Sequence, residues 1–196
     1  MLKLWYRARL SVLDLIVDRR GLAAIEFAMI VPIMLVMFFG TVELSSGVAV
    51  DRKVTLVART LSDLTSQSSS IAAADLTNFF TIKNAMLSPY SPTPVQATIT
   101  ELFVDPLTLK ARVQWSVGSA PRSTSSVVGI PTALAIGNTY LIMGEVNYLY
   151  VPTVGYVMSK SGITLTSTAY TRPRQTLCVT YPKPPVGTPL PPCPKL

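Results

Sequence analysis

The sequence predicts an α+β protein with a long N-terminal helix that is transmembrane and then amphipathic, a second helix and an antiparallel sheet of about four strands. Three patterns indicate this class: an uninterrupted apolar run near the N-terminus, apolar residues at helical spacing after it, and alternating apolar and polar residues in the second half. A mean hydropathy of +0.42 with 14% charged residues makes the chain more apolar than an ordinary soluble domain of 196 residues.

Residues 22–42 are predicted to cross a membrane as one helix. Glu26 is the only charged residue among these 21, and a bilayer core needs about 20 predominantly apolar residues in helical form. Because Arg19 and Arg20 precede the run directly, the positive-inside rule places the N-terminus in the cytoplasm and the domain of residues 43–175 outside. The run is too long for a cleaved secretory signal, and no small-residue cleavage site follows it.

Glu26 lies five positions into this helix, where an ionisable side chain costs a few kcal/mol unless it reaches the interface. Two interpretations stay open. The carboxylate lies among the cytoplasmic headgroups, or it has a partner of opposite charge within the membrane. The segment before it reads Arg19-Arg20-Gly21, and the segment that follows reads Leu22-Ala23-Ala24-Ile25-Glu26-Phe27.

This segment resembles the processing site of type IV prepilins, in which a basic leader ends in glycine and a glutamate stands at the fifth position of the product. The Glu26-Phe27 pair, with Leu22 directly after Gly21, is similar to the Flp/Tad branch. The resemblance implies that a prepilin peptidase removes the basic leader, residues 1–21, between Gly21 and Leu22. The new α-amino group and Glu26 of a neighbouring subunit carry opposite charges at neutral pH, so each would satisfy the other within lipid.

The helical pattern continues beyond the membrane segment to about Leu64. Apolar residues recur at spacings of 4, 3, 4 and 3, which favours packing against the domain over a coiled coil; they are Val50, Val54, Val57, Leu61 and Leu64. A polar linker, residues 66–70, ends this helix. Asp75 is predicted to cap a second helix that runs to about Met86, with a buried side formed by Leu76, Phe79, Phe80 and Ile82.

Four strands are predicted after the turn-rich residues 88–94. The first has Val95, Ala97 and Ile99 on one face, and a turn at Asp105-Pro106 joins it as a hairpin to a second strand over residues 107–117. Residues 118–137 are predicted to be irregular, with one short helical turn. The third strand has Ile142, Val146, Tyr148 and Tyr150 facing inward and ends at Pro152. The fourth has Ile163, Leu165, Ser167 and Ala169 on one face.

Two motifs in the second half extend the resemblance. Tyr148-Leu149-Tyr150-Val151-Pro152 and Arg172-Pro173-Arg174 are similar to the aromatic-x-aromatic-x-Pro strand and the Arg-Pro-Arg of TadE/TadG-like proteins, minor components of the Tad (Flp) pilus machinery. The chain is too short for a von Willebrand-type domain, so the short TadE type is closer. Core packing for the tyrosines and surface charge for the arginines are the alternative interpretations.

The resemblance implies a pseudopilin-like inner-membrane component needed to assemble a pilus for adhesion and surface attachment. Its implied partners are the membrane, a prepilin peptidase, a secretion ATPase, other pilins and inner-membrane platform proteins. A second hypothesis stays open: an uncleaved, single-pass anchor carrying a periplasmic binding module unrelated to filaments.

The tail, residues 176–196, contains both cysteines, Cys178 and Cys193. Two cysteines in an extracytoplasmic chain most simply pair, and a metal site would have too few ligands. Seven prolines follow Tyr181, so the tail can be neither helix nor sheet and a disulfide would tether it.

The residues also argue against several classes of function. The chain has no histidine, which excludes Ser-His-Asp and Cys-His catalysis, and it has no phosphate-binding or dinucleotide-binding glycine motif. The acids on the predicted strands, Glu101, Asp105 and Glu145, have no spacing typical of a catalytic pair. Five of the 17 basic residues lie in the first 20 positions, and no basic stripe follows. We therefore expect no enzyme activity, no cofactor, no small-molecule substrate and no nucleic acid.

Overall fold

The computed structural model describes residues 21–152 and 161–196. Of the predicted leader, only Gly21 falls within the described residues. Two helices, α1 (Leu22–Ser66) and α2 (Ala73–Leu87), precede a sheet whose strands are β1 (Val95–Val104), β2 (Ala111–Gly118), β3 (Val127–Val128), β4 (Thr139–Tyr150) and β5 (Ile163–Thr171). One 3-10 turn, Thr132–Leu134, lies between β3 and β4.

The strands form one antiparallel sheet in the order β3-β2-β1-β4-β5. The predicted α+β class is confirmed, with five strands rather than about four. The additional strand, β3, has two residues and pairs Val128 with Ala111 at the sheet edge. A two-residue strand is too short to show an alternating pattern, so residues 118–137 carried no signal for it.

Helix α1 has 45 residues and is therefore about 67 Å long. Its first part is exposed and apolar; among the described residues, it is the one helix long and apolar enough to cross a membrane. Its second part packs on β4 and β5, where the predicted stripe is buried from Val50 to Leu61, whereas its last member, Leu64, is half-buried. Gly144 of β4 permits this close approach, since a Cβ at that position would lie 2.6 Å from the carbonyl oxygen of Ala58.

Helix α2 packs against α1, and Lys53 of α1 donates hydrogen bonds to the carbonyls of Met86 and Ser88 at its C-terminal end. Two predictions for α2 were wrong. Asp75 is not the cap but the third helical residue, where its carboxylate accepts the N–H of Ala72 at 2.9 Å. Ile82 is exposed because it lies about 120° around the helix from the buried Leu76.

The other three residues of the predicted buried side of α2 agree with the prediction in part. Leu76 is buried, whereas Phe79 and Phe80 are half-buried.

The β1–β2 hairpin is confirmed, but β2 begins four residues later than predicted. Leu107 and Leu109 belong to the turn, and the side chain of Leu107 is 92% exposed. The carboxylate of Asp105 accepts the N–H groups of Leu107 and Thr108, which holds the turn away from extended geometry. Leu109 has a positive φ of 55°, which a strand does not allow.

The two faces of the sheet are covered by different parts of the chain. Helix α1 covers one face along β4 and β5, and residues of the β3–β4 region cover the other through Ile130 and Leu134. The helix does not reach the far end of its own face, where Phe103 and Tyr140 lie. That end is covered instead by Cys178 of the tail.

Candidate functional site

The predicted processing site lies at the very start of α1. Gly21 immediately precedes the first helical residue, and a Cβ at Gly21 would meet no atom within 4 Å. Leu22 and Phe27 are 57% and 69% exposed, and Glu26 is exposed on the next helical turn after Leu22. Both residues of the predicted cleavage bond, Gly21 and Leu22, are therefore exposed.

The exposed part of α1 is a continuous apolar surface. Most large side chains from Leu22 to Val42 are 44–69% exposed, whereas Val31 and Phe39 are half-buried. No described element of this chain covers them. Soluble monomers rarely expose an apolar patch of this size, which is typical of a surface in contact with lipid or with other apolar helices.

The two motifs of the second half contact opposite ends of the packed part of α1. Tyr148 and Tyr150 are 5% and 6% exposed and face the helix, and Tyr150 contacts Ser46 close to the membrane segment. Burial raises the pKa of both phenols, so they act as neutral groups. Pro152, which follows β4, is also buried.

At the other end of α1, Arg174 makes an ion pair with Asp63, and its backbone N–H donates to the carbonyl of Ser66 at 2.8 Å. The two charged side chains are 60% and 37% exposed, so the solvent screens the pair and it is worth less than about 1 kcal/mol. Arg172 is exposed and Pro173 is half-buried. The Arg172-Pro173-Arg174 segment thus holds the chain after β5 against the end of the helix.

An open groove of about 750 Å³ runs between α1 and the free side of β5. Its lining combines polar and apolar groups and includes Arg59, Thr60 and Asp63 of the helix and Thr168 and Tyr170 of the strand. No cluster of three or more potential metal ligands occurs within residues 21–152 and 161–196. The groove therefore offers hydrogen-bonding groups but, in the part of the chain described, no metal-binding set.

Cys178 and Cys193 form a disulfide, with 5.7 Å between their Cα atoms. The tail is fixed to the sheet beside this bridge. The indole N–H of Trp115 donates to the carbonyl of Val179 at 2.7 Å, and the N–H of Val179 donates to the carboxylate of Glu101 at 2.6 Å. Val179 is fully buried.

Glu101 is the unusual residue of this contact. Its side chain is fully buried, and its Oε2 atom has no hydrogen-bond partner among the described residues. Burial raises the pKa of this carboxyl group from its ordinary 4.5 to about 7, although the hydrogen bond from Val179 acts in the opposite direction. Sequence reasoning placed Glu101 on a strand but had no signal for the tail that buries it.

Comparison with known proteins adds one match. The family model described as TadE-like protein matches residues 21–61, which is the apolar part of α1 and most of its packed part. No curated protein and no solved structure matches the chain. The predicted resemblance to TadE-like proteins is confirmed for this segment, and the motifs at residues 148–152 and 172–174 lie outside it.

Proposed function

We propose, from the TadE-like match of residues 21–61 and the apolar helix able to span a membrane, that this chain is a pseudopilin-like component needed to assemble a Tad-type pilus for surface attachment. The match and the helix fit a membrane component associated with the Tad pilus. The proposal goes further in giving the chain a maturation step, an orientation and a pairing role for Glu26.

In this proposal a prepilin peptidase cleaves between Gly21 and Leu22. The accessibility of that bond supports the step, because a peptidase must approach the backbone closely and glycine has no side chain to obstruct it. Cleavage removes all five basic residues that precede the helix and leaves the amino group of Leu22 at the start of an apolar surface.

Glu26 then pairs with the amino group of a neighbouring subunit. Within one chain, Glu26 lies about 6 Å along the helix axis from Leu22. The amino group and the carboxylate of two neighbours therefore come level when one helix is displaced by about one turn relative to the other. Each pairing so formed satisfies a charge that lipid cannot solvate, which favours a staggered assembly.

The proposed orientation puts the N-terminus in the cytoplasm and residues 43–175 outside the inner membrane. The Cys178–Cys193 disulfide supports it, since such bonds persist in oxidising compartments. Other pilins and inner-membrane platform proteins are the proposed assembly partners.

The decisive experiment is the intact mass of the chain extracted from membranes of cells with an active prepilin peptidase. We expect the mass of residues 22–196, and the full-length mass for Gly21→Ala. Ala23→Gly, which leaves the cut site unchanged, is the matched control and should be processed. A full-length wild-type chain would reject maturation and favour the uncleaved binding module.

Glu26→Ala separates pairing from processing. We expect this variant to be cleaved but to reduce pilus number and surface attachment at least tenfold, whereas Glu26→Asp should retain part of both. Normal assembly by Glu26→Ala would show that the pairing mechanism is wrong even if cleavage occurs.

A further inference from the structure

The tail contains a closed loop, residues 178–193, which we call the proline loop. Its disulfide joins the first and last residues. Next to Cys178, the backbone of Val179 is hydrogen-bonded to the side chains of Trp115 and Glu101. Next to Cys193, the carbonyl of Pro194 accepts a hydrogen bond from the hydroxyl of Tyr140 at 2.8 Å. Both ends are therefore fixed on the sheet, and the loop cannot spread open.

The first leg of the proline loop is held by further backbone contacts. Thr180 exchanges hydrogen bonds with Ser69 and Ile71, and the N–H of Lys183 donates to the carbonyl of Ile71 at 2.8 Å. The rings of Trp115 and Tyr181 lie 5.4 Å apart. These contacts orient the loop relative to the domain up to Lys183.

The tip of the proline loop is a defined turn. The N–H of Thr188 donates to the carbonyl of Pro185 at 3.1 Å, and Gly187 has a φ of +89°. A positive φ at the third position of a four-residue turn is the signature of type II, and glycine adopts it without strain. The turn places Val186 at its outermost corner, where the side chain is 101% exposed.

Each leg of the proline loop repeats proline at a spacing of three. Pro182 and Pro185 lie on the first leg, where Pro185 is also the first residue of the turn, and Pro189 and Pro192 follow the turn. The pyrrolidine ring restricts φ to the value of a polyproline II helix, which has three residues per turn, and in that conformation prolines three apart lie on one face. Aromatic-lined grooves recognise such faces.

The exposure and composition of the proline loop are typical of a segment that binds a partner rather than of one that packs against its own domain. From residue 185 to residue 192 every position is exposed. Lys183 is the one charged residue of the loop, its side chain is exposed, and it forms no ion pair within the described residues. A partner therefore meets apolar prolines, an apolar tip and a single positive charge.

We propose that the proline loop is a pre-formed docking ligand for a protein with a narrow, aromatic-lined groove that has a carboxylate at its rim, opposite Lys183. Because the disulfide and the type II turn already restrict the loop, binding loses little conformational entropy. The proposal does not depend on pilus assembly, since the loop lies outside the segment that resembles TadE-like proteins.

The test uses the full-length chain in the membrane of producing cells, with the photo-crosslinking residue benzoylphenylalanine in place of Val186. Benzoylphenylalanine in place of Leu107, which is equally apolar and 92% exposed on a different turn, is the matched control. We expect one heterologous adduct from position 186 and none from position 107. Mass spectrometry should place the crosslink within about two residues of a Trp, Tyr or Phe of the partner.

Two variants make the test specific. Lys183→Glu and the pair Pro189→Ala with Pro192→Ala should each lower the adduct yield at least tenfold. Unchanged thermal melting, followed by tryptophan fluorescence, would show that these variants are folded. The proposal is overturned by an absent adduct, by an adduct between two copies of this chain, by equal yields from positions 186 and 107, or by a yield that neither variant lowers.

Discussion

Raising the pH from 5 to 8 should destabilise this protein through one residue, Glu101. In the fold its carboxyl group is fully buried and has a pKa of about 7, against 4.5 for a solvated glutamate. Between these values the folded state binds more protons than the unfolded state. The free energy of unfolding therefore falls as the pH rises.

The magnitude follows from the difference between the two pKa values. At roughly 1.4 kcal/mol per pH unit, a rise from 4.5 to about 7 corresponds to about 3 kcal/mol. For a chain of this length, this loss lowers the melting temperature by roughly 6–12 °C. The chain has no histidine, so no other side chain with an ordinary pKa titrates in this window.

The assay is thermal unfolding of the detergent-solubilised chain at pH 5, 6, 7 and 8. Glu101→Gln should remove the slope, because the amide imitates the protonated acid, keeps an acceptor for the N–H of Val179 and does not titrate. Glu145→Gln is the matched control: this carboxylate pairs with Arg122 and is partly exposed, and its loss should leave the wild-type slope. A wild-type melting temperature independent of pH, or an unchanged slope in Glu101→Gln, would refute the reasoning.

Three further outcomes are expected. Gly144→Ala should lower the free energy of unfolding by about 1–3 kcal/mol, because its Cβ would clash with a backbone carbonyl of α1, whereas Gly129→Ala, with no atom within 4 Å, should not lower the melting temperature. Leu61→Ala should cost about 2–5 kcal/mol in denaturant unfolding, since this side chain is 1% exposed in the core. Replacing Cys178 and Cys193 with serine should make the tail susceptible to limited proteolysis at pH 7 and cost up to about 3 kcal/mol.

The elements that the sequence predicted best are those with several repeats of one period. The stripe from Val50 to Leu61 spans three helical turns, so each buried position supports the same interpretation. The inward face of β4 likewise repeats from Ile142 to Tyr150 at a spacing of two, and all its predicted members are buried. In a long regular pattern, one residue that departs from the period does not change the predicted element or its buried face.

The errors occurred where one local contact overrides a pattern. Leu107 and Leu109 continue the alternation of β2, yet the carboxylate of Asp105 draws this stretch into a turn. Asp75 has the chemistry of a helix cap, and its side chain does bond to a backbone N–H at the helix start, but from a position inside the helix. The chemistry of a side chain indicates that it can accept a backbone N–H at a helix start. It does not indicate at which residue the helix begins.

The contact between Glu101 and Val179 could not be predicted in the same way. The two residues are 78 positions apart, and no periodicity connects a strand to a proline-rich tail. An acidic residue at a position that alternation would bury was the one available signal. Alone it indicated an exposed edge equally well.

Helix α1 is continuous from the apolar segment to its contact with the sheet. The rotation of the apolar segment about the helix axis is therefore coupled to the orientation of the domain. One residue inserted between the two parts would turn the domain by about 100° around the helix axis and raise it by about 1.5 Å. The rotation of the helix about its axis in the bilayer therefore determines the direction in which the sheet, the groove and the proline loop face. The face of α1 that contacts another membrane helix therefore also determines which side of the domain faces the neighbouring molecule.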